Sequence, residues 1–308
     1  MRTLLASFML LLSATVNSQH MTQYSQWYLH QFALNPSHAG IKQCVDFHSL
    51  YRMQWVGFEG APRSGLFTMS MPLGSNRKRA MGARHGSGFK FETDQFGPFS
   101  VTRLNLAYAA HFNFTQDNRL SLGAYGGFVQ TGYDPASSTT HDPDPSVLQQ
   151  SNFLSPDATF GAWYNSKNYY AGFVMRNLIP SRWEDIGDQS KYRFHYHLNA
   201  GYRWVVKEGI TLLPGFHLRI PPRNPVSLDL NLHADYNNIL GVGLGFRAGD
   251  AVNATAVFKI KSQFSIAYTF DYTITKVQNV AKNTHEISLR FTTCKGSRSD
   301  ANSCALFN

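Results

Sequence analysis

The chain has 308 residues, enough for one or two domains, and its 28 Lys and Arg against 19 Asp and Glu give a formal charge of +9. That charge would suit nucleic acid or anionic lipid, but the basic residues are scattered over many short segments behind an export leader; this argues against a nucleic-acid partner and leaves them to line a polar interior and decorate turns. Three cysteines without metal-ligand spacing exclude a zinc site.

Arg2 is followed by an apolar run from Leu4 to Val16, and Val16-Asn17-Ser18 place small or polar residues before a cut ahead of Gln19. This predicts a secretory signal peptide over 1–18, the run being shorter than the roughly 18 apolar residues of a membrane anchor. Gln19 in place of a cysteine argues against a lipoprotein. A segment over 19–43 comes next. Its stretch Gln23–Gly40, "QYSQWYLHQFALNPSHAG", is rich in aromatics and ends in Asn-Pro and Gly turn signals. It reads as a segment that packs in a periplasmic mouth or meets a partner, or as an ordered leader into the first strand.

From 44 to 294 the pattern has a period of two. Leu104, Leu106, Tyr108, Ala110 and Phe112 alternate with Arg103, Asn105, His111 and Asn113; Phe194, Tyr196, Leu198, Ala200 and Tyr202 alternate with His195, His197 and Asn199. One face of each strand is greasy and the other carries charge, amide and imidazole. Fourteen such segments are predicted, near 44–58, 64–73, 82–93, 98–114, 119–132, 157–165, 168–176, 191–206, 210–220, 226–235, 238–247, 251–259, 262–274 and 283–294. Many reach the roughly 9–11 residues that a tilted strand needs to cross a bilayer.

With the first strand starting in the periplasm, the connections returning there are tight: Thr115–Asn118, Asn165–Asn168, Lys207–Gly209, Tyr236–Asn238 and Lys259–Ser262. Those of opposite parity include the two longest, Tyr133–Pro156 and Asn177–Ser190, and Gly74–Met81 with Arg77-Lys78-Arg79 is the one long periplasmic turn. Short inner turns and long outer loops are the habit of outer-membrane barrels. A soluble sandwich would hide its aromatics and show charge, whereas aromatic residues are 14% of this chain and charged ones only 15%. The expected fold is therefore all-β, a transmembrane antiparallel β-barrel with a short N-terminal periplasmic segment and a short tail over 295–308.

Closure requires the last strand to pair with the first, since an open edge has no partner in lipid. That brings Cys44 near Cys294 and makes a disulfide across the seam possible, with Cys294–Cys304 or free thiols as the alternatives. His195 and His197 share a face but have no acidic or cysteine partner at matching spacing, so they read as lumen lining. Asp134-Pro135 and Asp142-Pro143-Asp144-Pro145 read as proline-stiffened turns of an outer loop, not a calcium site. No catalytic constellation emerges: His285, Glu286 and Ser288 are neighbours in sequence, but alternation sends Glu286 and Ser288 to the lumen.

The leader "QYSQWYLHQFALNPSHAG", "LYRMQWVGFEGAPRS" at 50–64, "FGPFSVTRLNLAYAAHF" at 96–112, "YYAGFVMRNL" at 169–178, "PVSLDLNLHADY" at 225–236, "GLGFRAGDAVNATAVFKI" at 243–260 and the closing "NTHEISLRF" together resemble the PorP/SprF family of outer-membrane proteins of the type IX secretion and gliding machinery. The resemblance spans nearly all of the chain after the leader. It implies a fourteen-stranded outer-membrane barrel without enzymatic activity or cofactor. It also implies either a core component contacting periplasmic secretion proteins or an accessory barrel dedicated to a secreted surface adhesin. The chain ends in Asn308, where many outer-membrane barrels carry an aromatic residue; Phe291 lies nearby. Candidate structural or partner-contact positions are Asn35, Pro36 and Gly40, Trp55 with the loop Gly57–Arg63 including Pro62, Arg247 with Gly249 and Asp250, and His285 with Glu286. The competing expectation is a passive porin, because a polar lumen of fourteen strands can conduct unless side chains or the leader fill it.

Overall fold

Alternation of apolar and polar residues becomes strand structure wherever two solvents meet the two faces of a sheet. The computed structural model describes residues 22–42, 44–74, 83–115, 117–135, 151–181, 194–222, 225–260 and 263–293. The signal-peptide region 1–18, the Arg77-Lys78-Arg79 turn, the Asp142–Pro145 stretch, Cys294, Cys304 and the tail lie outside the described residues.

The strands are β1 (Asp46–Met53), β2 (Arg63–Leu73), β3 (Arg84–Phe96), β4 (Phe99–Asn113), β5 (Arg119–Tyr133), β6 (Ser151–Asn165), β7 (Tyr169–Arg176), β8 (His195–Tyr202), β9 (Trp204–Lys207), β10 (Ile210–Ile220), β11 (Ser227–Tyr236), β12 (Leu240–Arg247), β13 (Ala251–Ile260), β14 (Phe264–Thr273) and β15 (Thr284–Thr292). Each pairs antiparallel with its neighbours, and β8 and β9 both lie along β10. They are two halves of one stave, interrupted at Arg203, whose N–H reaches the Asn168 carbonyl at 2.6 Å. The wall therefore has fourteen staves, and β1 pairs with β15 from Asp46↔Thr292 to Met53↔His285 to close it.

Two boundaries differ from the pattern in the sequence. Residues 151–156 belong to β6 because they pair with Phe128–Tyr133 of β5. Pro156 is accommodated there because β7 pairs with β6 only from Phe160 onward, leaving edge-like backbone at the proline. At the other end, β1 stops at Met53, and residues 54–62 fold into a loop closed by Gln54 N–H on the Pro62 carbonyl at 3.0 Å.

Outward positions are apolar and exposed, as at Leu106 (68%) and Leu244 (65%), while the inward positions between them hold Lys90, Glu92, Asn105, Thr269 and Glu286, all buried. This inverts the arrangement of a soluble protein and matches a wall between lipid and a polar lumen. The rim carrying the tight turns is taken as periplasmic on the same rule. There Asn237 and Asn238 both adopt the left-handed conformation (φ 53 and 54), which asparagine tolerates.

At the periplasmic end of the seam Thr293 N–H donates to the Val45 carbonyl at 2.9 Å, and Cys44 Sγ lies 3.2 Å from Thr292 Oγ1. Cys44 is disulfide-bonded. Because Thr293 already sits against Val45, the expected partner is Cys294. Peptide mapping of the non-reduced protein should recover a linked Cys44–Cys294 fragment; a Cys44–Cys304 fragment would show that the tail, not the seam, is stapled.

Candidate functional site in the barrel lumen

The segment from Thr22 to Lys42 lies inside the barrel. Its local structure consists of a 3-10 turn at Trp27–Leu29, one α turn at Gln31–Leu34 and a second 3-10 turn at Pro36–His38. Such short turns leave most backbone groups without an internal partner, so the lumen wall must supply them. Asn35 begins the last turn: its Oδ1 accepts from Ser37 N–H at 3.0 Å and Ser37 Oγ at 2.6 Å, and Pro36 occupies the first helical position. Its Nδ2 donates outward to the Ala162 carbonyl of β6 at 3.0 Å.

The wall is shaped to admit this backbone. A Cβ on the inward-facing Gly161 would lie 2.0 Å from Asn35 Oδ1, and one on Gly123 would lie 2.6 Å from Ser37 N. Gly40, at φ +64, passes so close to Gly86 and the Met71 carbonyl that no side chain fits. Ile41 and Lys42 end the segment at the periplasmic rim, where Arg290 forms a fork–fork pair with Asp46 (3.0 and 2.9 Å) and Lys42 lies 3.5 Å from the same carboxylate.

In the opposite direction the segment continues through the lumen toward the outer rim. Gln31 accepts from Asn199 of β8 at 2.8 Å, Trp27 packs on His217 of β10, and Tyr28 packs on His233 of β11. Tyr24 donates to Glu92 at 3.0 Å and Thr22 to Asp94 at 3.1 Å, near the outer end of β3. Ser25 and Gln26 sit in a buried cluster of charged side chains. The Glu286 carboxylate accepts their backbone N–H groups at 3.0 and 2.8 Å and pairs with Arg52 at 2.8 Å. Arg52 also holds Asp271 at 2.9 Å, and Ser25 Oγ donates to that carboxylate at 2.6 Å. Arg247 reaches Ser25 Oγ at 3.2 Å while binding Asp229 (2.9 Å) and Asp250 (3.1 Å), and Arg219 holds Asp229 at 2.8 Å. Three guanidiniums thus pair with four carboxylates, so that no charge of the cluster is isolated, which would be costly.

The positions singled out from sequence divide among three places. Arg247, Asp250 and Glu286 converge on Ser25, with Gly249 (φ +72) making the tight turn between the first two. Asn35, Pro36 and Gly40 lie at the periplasmic end of the same segment. Trp55, Gly57, Pro62 and Arg63 belong to the outer rim. Trp55 is held at φ 53 with its N–H on Thr284 Oγ1 at 3.1 Å, and Arg63 is exposed. His285 faces outward, bonded to Tyr268 at 2.7 Å, so it does not meet the inward Glu286 and Ser288. His195 and His197 both face the lumen, with His197 3.1 Å from His217. Sequence reasoning missed Ser25, Gln26, Arg52 and Asp271. It also missed the inward glycines 123 and 161, whose run of small residues on a polar face was the available signal.

A family model described as type IX secretion system membrane protein PorP/SprF matches residues 16–291. No curated protein matches the chain. Among solved structures, the Ralstonia pickettii toluene transporter TbuX is similar in fold, at 8% identity and a TM-score of 0.51 over 86% of this chain and 92% of that one. A Pseudomonas aeruginosa FadL homologue aligns at 9% identity and a TM-score of 0.46, over 82% and 89%.

Replacing Glu286 by Ala leaves two buried backbone N–H groups without their acceptor and the Arg52 guanidinium with Asp271 as its remaining carboxylate. The expected loss of stability is about 2–6 kcal/mol from the two orphaned donors, measured by urea titration of the folded barrel. A loss under about 1 kcal/mol would mean that the cluster does not hold the segment.

Proposed function

The chain belongs to the type IX secretion system membrane protein family PorP/SprF, and from that membership we propose that it serves as a non-conducting outer-membrane barrel. On this reading it supports secretion or surface attachment of a partner protein of the gliding-adhesin kind. Its periplasmic rim contacts the secretion machinery, and it reaches the outer membrane through its N-terminal leader. The observation that carries the reading is the filled lumen: residues 22–42 run from the outer end of β3 to the periplasmic rim, bonded to the wall throughout. A barrel occupied by its own chain offers no path for a polypeptide or for free solute, which leaves the two rims and the lipid-facing wall as its working surfaces. The exposed Lys167 and Lys207 on periplasmic turns and the ordered Trp55 loop on the outer rim are the surfaces available to partners.

The porin reading draws on the polar inner face, but here those polar groups are spent on the segment: Glu92, Asp94, Asn199, Asp271 and Glu286 all bind it. A non-enzymatic role accords with the outward His285 and inward Ser288, which do not assemble into a hydrolytic site.

Affinity purification from native outer membranes in mild detergent should co-recover periplasmic secretion components or one large surface protein. The same preparation in a planar bilayer should show no step conductance. Recovery alone together with stable conductance would sink this reading and leave a porin.

A further inference from the structure

Closing a barrel poses a register problem. A slip of one residue at the seam turns every side chain to the wrong face, but a slip of two preserves the alternation and merely changes the shear. The outward residues at this seam discriminate poorly against such a slip: Phe47, Ser49, Tyr51 and Met53 meet Phe291, Leu289, Ile287 and His285, mostly apolar in either frame. The inward residues are specific. Arg52 stands opposite Glu286 in the ladder and is ion-paired to it, while Asp271 on β14 takes the second face of the same guanidinium. A slip of two would put Ser288 or Thr284 opposite Arg52.

We propose that the N-terminal segment has a second function, as the template that sets the register of the closing seam. Ser25 and Gln26 are bonded to all three strands that meet there: to β1 through Arg52, to β14 through Asp271, and to β15 through Glu286 and Ser288. The remainder of the segment is seated on strands away from the seam. Tyr24 binds Glu92 of β3, Tyr125 of β5 donates to the Phe32 carbonyl, Asn35 binds Ala162 of β6, and Gln31 binds Asn199 of β8. It can therefore lie on the incomplete sheet and present the backbone N–H groups of Ser25 and Gln26 to Glu286 when β15 arrives. Enclosure during closure also accounts for a segment that runs through the lumen from the outer end of β3 to the periplasmic rim.

The test is the refolding of the full urea-denatured chain into lipid vesicles, followed by the compact band of unheated samples on a denaturing gel. The variants compared are Ser25→Ala with Gln26→Ala, and Asn35→Ala. Asn35 is buried in the same segment, where it caps the turn at Ser37, and its side chain reaches the wall at β6 and β7, away from the seam. A template predicts that the double variant closes roughly tenfold more slowly while Asn35→Ala changes the rate less than about threefold. Should the double variant not fold, Gln26→Ala alone, which keeps Ser25 and both backbone donors, carries the comparison. Equal slowing by both variants, or an unchanged closing rate with faster unfolding, would overturn the proposal.

Discussion

A strand edge in hydrocarbon has no water to satisfy its N–H and C=O groups, so a sheet that enters a bilayer must close on itself. Closure by β1 and β15 obliges the wall to have two unlike faces, and the inner one surrounds a space too wide for the inward side chains alone to fill. The charges on that inner face can stay buried only if each is paired. Residues 22–42 meet both demands, occupying the volume and completing the hydrogen bonding of Glu286, Glu92 and Asp94.

The choice of residues in the segment follows from that position. Short turns beginning at Gln26, His30 and Asn35 keep the chain narrow, and the glycines on β5 and β6 remove the Cβ atoms that would otherwise collide with it. Aromatic rings then pack at a tilt against the lumen imidazoles, Trp27 against His217 and Tyr28 against His233, giving apolar cover to histidines that face away from lipid. The high aromatic content therefore has two distinct uses, one against lipid and one against the inner wall.

The wall was legible in the sequence because lipid and lumen impose opposite demands on alternate residues, as at Leu104 through Asn113. The stave number, the pairing of the last strand with the first and the inward setting of Glu286 and Ser288 all followed from period and closure. The start of β6 did not. Pro156 reads as a break until the short reach of β7 shows that its missing N–H costs little. The clasp around Ser25 was hidden for another reason. The residues bonded to Ser25 lie 27 to 261 positions from it, and nothing in a local window tells an arginine bound to its own N-terminal segment from one facing water. Only the inward glycines mark where another backbone must pass.

A hollow cylinder loaded from the side flattens long before its wall fails, whereas one with internal ties keeps its round section. Gln26 is fastened to Glu286 on one side of this barrel, and five positions later Gln31 is fastened to Asn199 across the sheet from it. The segment between them is a strut that spans the bore and resists ovalisation. A pull delivered to an outer loop is then carried to the opposite rim by a braced rod instead of being dissipated in deformation of a pipe.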